Sequence, residues 1–257
     1  MNEKLLLGAA AAAIICVGGY FGYGAWRDNQ AQKTVTAWIN AQPVYAMVLK
    51  DHPAAAPRFL DHFLGPYRQG GMAGVEAAKV EMQQILDVNY TIDYVWYFDD
   101  IALRNFLTSE YNFIQALQKN DPTRSLCSKY LKDSSQFAEA GKIAGGNLLE
   151  KYMKASEDLF VSAIPHKLYP VWPGVQNYNK YVDTAKISMV FGIAQQFSSG
   201  QIEQAFQSGS QNDCTTVVLM DYALIKADPR VASILWRSNM ESMRSEVVAR
   251  RKAGGSE

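Results

Sequence analysis

Twenty-two consecutive residues without a charge, Leu5 through Trp26, stand near the start of this chain and constrain everything after them. Lys4 precedes the run, and Arg27 and Asp28 close it. As an α-helix it spans about 33 Å, enough to cross a hydrocarbon core of about 30 Å. Tyr20, Phe21, Tyr23 and Trp26 crowd its C-terminal end, where aromatic rings favour the headgroup region. Ala and Gly supply 11 of its 22 residues, so its insertion energy is modest. A cleaved signal peptide is the competing reading, with Leu5–Val17 as the apolar region and Val17-Gly18-Gly19 as the small-residue cleavage site. Against cleavage, the apolar character runs past Gly19 directly into a helix-forming stretch. Cys16 follows Ile15 rather than a small residue, which disfavours a lipoprotein. Gly18 and Gly22 form a small-xxx-small pair suited to seating another transmembrane helix, although that pattern arises easily in a Gly/Ala-rich segment. The expected layout is a cytoplasmic end over 1–4, a transmembrane signal-anchor over 5–26 and an extracytoplasmic helical domain over 27–257.

Charge does not orient the anchor: Lys4 and the amino terminus on one side balance Arg27 and Lys33 on the other. The cysteines are more informative. Outside the leader there are only Cys127 and Cys214, an even pair suited to one disulfide in an oxidising compartment. Two ordinary buried thiols in a cytosolic protein are the alternative. Export together with one body pair is the more coherent combination, and it points to a bacterial-type periplasmic face. The lipid bilayer is then one partner, through residues 5–26, and secretion to the periplasm after cleavage is the alternative location.

After residue 28 the apolar residues recur at helical spacing, and no segment sustains a period of two. The predicted fold is all-α: one N-terminal transmembrane helix, then a multi-helix, bundle-like soluble domain. A helix is expected over 28–41, then one opened by Pro43 at its first turn and a short one between Pro53 and Leu64. Gly65-Pro66 and Gly70-Gly71 read as breaks, followed by helices over 72–88 and 91–119. In the latter, Asp100 and Arg104 stand at i, i+4, suited to an exposed pair. Asp121-Pro122 and Asp228-Pro229 each join a capping carboxylate to a first-turn proline, the second opening a helix to about Lys252. Asn212 or Asp213 is expected to cap the helix of Cys214. Leu149, Tyr152, Met153, Ser156 and Phe160 share one helical face, as do Tyr178, Val182, Ala185 and Met189. The proline-rich stretch Ile164–Gly174 is read as an irregular loop inside a single domain, because a Cys127–Cys214 bridge would cross it.

The chemistry that the sequence lacks is as informative. Formal net charge is zero, so no nucleic-acid footprint is expected, and the Arg250-Arg251-Lys252 run reads as cations at a helix C-terminus. Three histidines, His52, His62 and His166, offer no H-E-x-x-H or other zinc spacing, and His62 among Phe59, Leu60 and Phe63 reads as a half-buried histidine. There is no C-x-x-C-H, no G-x-S-x-G and no phosphate-cradling glycine loop. Asp99-Asp100 and Glu157-Asp158 point about 100° apart on a helix, so neither is a shared acid/base pair by itself. No catalytic, cofactor or metal residue is therefore assigned.

What remains are candidate contact residues. Tyr90, Tyr94, Trp96, Tyr97 and Phe98 point in several directions, and Tyr94 and Tyr97, with Tyr169 and Trp172 of the proline-rich loop, are candidates for a partner surface; core packing is the alternative. The expected function is a membrane-anchored periplasmic accessory or scaffold subunit working through contacts with a membrane or periplasmic protein. The alternative is a periplasmic enzyme or small-ligand-binding protein with a pocket between helices. A cleft lined by Asp, Glu, Tyr or His would favour the alternative.

Overall fold

The computed structural model describes residues 26–121, 125–132, 136–166 and 214–253. Every regular element among them is helical and none is a strand, so the all-α expectation holds. No described helix is long and apolar enough to cross a membrane; the 5–26 segment, with Gly18 and Gly22, lies outside the described residues apart from Trp26. The chain divides into two compact units, Met1–Ala78 and Lys79–Glu257, where a single helical domain had been expected.

In the first unit, α1 (26–41) buries Ala31, Val35 and Ile39, one residue per turn, and leaves its polar face to solvent. Pro43 then opens α2 (Pro43–Asp51) at its first position, as expected. A 3-10 turn at Pro53–Ala55 leads into α3 (Ala56–Asn89). The core is aromatic: the Trp38 ring meets Phe63 edge-on at 4.9 Å and Tyr45 at 5.9 Å. Gly65-Pro66 does not break α3, contrary to expectation, whereas Gly71 kinks it with φ 60° and ψ −144°, a region open essentially to glycine alone. Across that kink, a side chain at Gly74 would collide with the Pro66 carbonyl. His62 Nε2 donates to the Ala78 carbonyl at 3.0 Å, which makes it the half-buried histidine foreseen.

The second unit is organised around α5 (Asp100–Asn120), against which α6 (Ser125–Lys132), α7 (Phe137–Ala144), α8 (Gly146–Ala163), α9 (Cys214–Lys226) and α10 (Pro229–Ser242) all pack. The expected helix over 91–119 is in fact two: α4 (Thr91–Tyr94) ends in a turn, and Asp99 caps α5 by accepting from Ile101 N at 2.8 Å and Ala102 N at 3.2 Å. That turn leaves carbonyls without helical donors. Arg237, fully buried on α10, fills the need: its Nε donates to Val95 O at 2.7 Å and one terminal nitrogen to Phe98 O at 2.6 Å. The other terminal nitrogen reaches Asp100 Oδ1 at 2.9 Å, and the Ser233 hydroxyl donates to the same oxygen. Asp100 thus serves a buried arginine, not the exposed Arg104 four residues on, which donates to Ile225 O at 3.2 Å.

Asp228 caps α10 with Pro229 in the first position, as read from sequence, but the helix stops at Ser242 and resumes as α11 (Arg244–Ala253). On α11, Arg251 is 2% exposed, pairs with Asp93 and lies 5.4 Å from the Tyr90 ring centroid. It is a core residue, not part of a solvated basic end. Asp121 accepts from Leu126 N at 2.8 Å near the start of α6, a capping role by a different bond from that expected. Cys127 on α6 and Cys214 at the first position of α9 form the expected disulfide, their Cα atoms 6.1 Å apart.

Candidate functional site

On an α-helix with a core-facing stripe, every third or fourth residue is buried, and a carboxylate at such a position is costly unless something neutralises it. The buried face of α5 runs Leu103, Phe106, Leu107, Phe113, Ile114 and Leu117. Glu110 sits in that register, between Phe106 and Phe113. Asp221 falls likewise between Val218 and Leu224 on α9, and Asp87 follows Leu86 and Met82 on α3. Together with Tyr130 of α6 and Tyr152 and Ser156 of α8, these three carboxylates build a polar cluster inside the second unit.

Its hydrogen bonds converge on Asp87. Gln83 Nε2 donates to Ser156 Oγ at 2.7 Å and to Asp87 Oδ1 at 3.2 Å, and the Ser156 hydroxyl donates to the same Oδ1. Tyr152 is hydrogen-bonded to Asp87, and the Tyr130 and Tyr152 hydroxyls to one another. Behind them the Phe113 ring stacks on Tyr152 at 5.5 Å and meets Tyr130 edge-on at 5.7 Å. The Asp221 carboxylate is less well provided: its Oδ2 is buried and has no hydrogen-bond partner.

The electrostatics follow from that placement. Burial pushes the Asp87 carboxyl up to about 7, against the opposing hydrogen bonds of Ser156, Gln83 and Tyr152. Burial also raises Glu110 to about 7, and the neighbouring Asp87 charge adds to it. Asp221 is held well above the ordinary carboxylate range, first by burial and then by Glu110. Tyr130 and Tyr152 are raised for the same first reason and stay neutral. The only charges acting on these three carboxyl groups belong to one another; no lysine or arginine offsets them. Asp87 and Glu110 are deeply desolvated yet keep part of their surface accessible, which describes a recess between helices and not an outer face. Chemically, such a recess holds protons or admits a cation. Among the described residues, no group of three or more His, Cys, Asp or Glu is arranged to hold a metal ion.

A pH dependence of stability follows. The folded state holds Asp87 and Glu110 protonated to higher pH than the unfolded chain does, so it binds more protons between about pH 4 and pH 7. Stability must therefore fall as pH rises through that window, the opposite of a salt-bridged carboxylate. Melting temperatures recorded from pH 5 to pH 8 are expected to decline, and Glu110→Gln is expected to flatten the decline. An unchanged slope in that variant would refute the assignment.

The contact residues read from sequence divide differently. Tyr94 is 2% exposed and packs edge-on against Phe160 at 5.9 Å, so its ring belongs to the core and not to a partner surface. Tyr90 and Phe98 are buried with it, while Trp96 and Tyr97 are half-buried. Tyr169, Trp172, Asn212, Asp213 and the 178–189 stripe lie outside the described residues. Asp87, Glu110 and Asp221 went unread, although the signal was there: each is an acid at an apolar register position. Comparison with known proteins adds no assignment, for no protein family, curated protein or solved structure matches this chain.

Proposed function

We propose that this chain is a bacterial-type inner-membrane protein, tethered by residues 5–26 with residues 27–257 on the periplasmic side, that serves as a non-enzymatic accessory subunit of a membrane-associated assembly. The Cys127–Cys214 bridge carries the reading, because a single body disulfide closing 87 residues suits an oxidising compartment. The uncharged leader supplies a route to that compartment. Contact surface is available in both units. Trp26 is 57% exposed at the end of the leader; Ile101 is 73% exposed beside the capped start of α5, where the Asp99 N–H donates to Ser162 Oγ at 3.1 Å, and Val161 is exposed next to that serine.

The test is recovery of the intact chain from detergent-solubilised membranes. Its mass should include the leader, and a membrane protein should co-purify in fixed ratio and be weakened by Ile101→Glu. A chain found soluble and alone, shortened near Gly19, would sink both tether and assembly.

One observation favours a second reading, a periplasmic ligand-binding protein. The recess between helices is lined by Asp and Glu with Tyr, and one of its buried carboxylate oxygens lacks a partner.

A further inference from the structure

We infer that the Asp87–Glu110–Asp221 recess is a binding site for a small organic cation of the di- or polyamine class. This rests on the ligand-binding reading just given and narrows it to one ligand chemistry.

Three observations lead there. First, the charge balance is one-sided: three carboxylates from α3, α5 and α9 face one another with no basic side chain acting on them. Buried carboxylates ordinarily come paired or metal-bound. Second, the Asp87 side is already supplied with donors by Gln83, Ser156 and Tyr152, whereas Asp221 Oδ2 is buried and unpartnered. The missing donor must come from outside the chain. Third, Glu110 acts on both Asp87 and Asp221, so it stands between them. The three nonetheless do not converge as a chelating group. A single metal ion needs oxygens drawn to within about 2.0–2.6 Å of one point. An elongated cation does not; one ammonium can serve Asp221 and Glu110 while another serves Asp87.

The remaining walls fit that ligand. An ammonium presents three N–H donors and no acceptor, matching a lining in which the charged groups only accept. Tyr130, Tyr152 and Phe113 offer ring faces that attract a desolvated cation and an apolar surface for the methylenes between nitrogens. No covalent step is involved. The ligand replaces protons on Asp87 and Glu110, so each bound ammonium is balanced by a carboxylate that has released one.

The test uses the full chain in detergent, with putrescine and spermidine as probes and Mg2+, Ca2+ and Mn2+ as controls, read by calorimetry and by thermal shift. Both amines should bind and raise the melting temperature, and protons should be released into a weakly buffered solution. Affinity should rise by about tenfold from pH 6 to pH 8 for each proton displaced from a group titrating near 7. Asp221→Asn and Glu110→Gln should each weaken binding tenfold or more while the Cys127–Cys214 bridge and helical content persist. If either variant does not fold, proton release and its pH dependence in the native chain decide the matter. Amine binding unchanged in both variants, or without proton release, overturns the inference. Stabilisation by a divalent metal but by neither amine overturns the amine class and leaves a ligand-binding protein. Response to no cation overturns both.

Discussion

Replacing Arg237 with alanine is expected to destabilise the second unit by about 3–5 kcal/mol, the usual cost of breaking a buried ion pair from one side. The side chain is fully buried, and its fork holds three acceptors at once: Val95 O, Phe98 O and Asp100 Oδ1, at 2.7, 2.6 and 2.9 Å. Alanine leaves the Asp100 carboxylate without its cation and two carbonyls of the α4–α5 turn without these donors, at about 1–3 kcal/mol for each group stranded. These costs overlap, so the ion-pair range is the better guide. Arg237→Lys keeps the charge but cannot reproduce the fork, because an ammonium is a point donor; it should recover less than half of the loss. Arg104→Ala is the control, an exposed arginine with one bond to a carbonyl, expected to change stability by about 0.5 kcal/mol. Urea unfolding of the three variants measures this. Arg237→Ala within about 1 kcal/mol of the native chain would show that the turn does not depend on the arginine.

Removal of the disulfide is the second large effect. Cys127 and Cys214 lie 87 residues apart, and closing a loop of that length restricts the unfolded chain by about 4–5 kcal/mol in the chain-entropy account. The double variant Cys127→Ala/Cys214→Ala is therefore expected to melt lower by roughly 10–15 °C, since about 1 kcal/mol moves a unit of this size by 2–4 °C. The bridge also joins α6, which carries Tyr130, to α9, which carries Asp221. The same variant should consequently loosen the recess and raise exchange at amides of α9 before global unfolding. Non-reducing peptide mapping of native protein should find Cys127 linked to Cys214. Free thiols there would remove the support for an oxidising compartment as well.

Much of the fold was legible in local signals. Pro43 and Asp228-Pro229 begin helices where a first-turn proline and a capping carboxylate say they should, because a cap is satisfied by atoms two or three residues away. The face of α8 that buries Tyr152, Ser156 and Phe160 was read from helical spacing alone. The errors share a cause. Gly65-Pro66 looks like a stop and lies within a helix, while the stretch over 91–119 looks continuous and is broken at Val95–Asp99. Arg237 stabilises the break with donors from more than 130 residues further along the chain. Arg251 resembled a solvated helix end and is instead buried against Asp93 and Tyr90 for the same long-range reason.

The candidate site divides in the same way. Each of Asp87, Glu110 and Asp221 is visible in sequence as an acid in apolar register, but one such acid means little, since a neighbouring lysine or a helix edge normally accounts for it. That the three face one another without a cation depends on how α3, α5 and α9 pack, and no local rule reaches across the 134 residues between the first and the last. The sequence by itself determined the helical class, the caps, the cysteine pair and the uncharged leader, all matters of composition and spacing. Tertiary structure alone decided where helices break and which buried charges meet, because those outcomes are set by neighbours that the chain brings together only on folding.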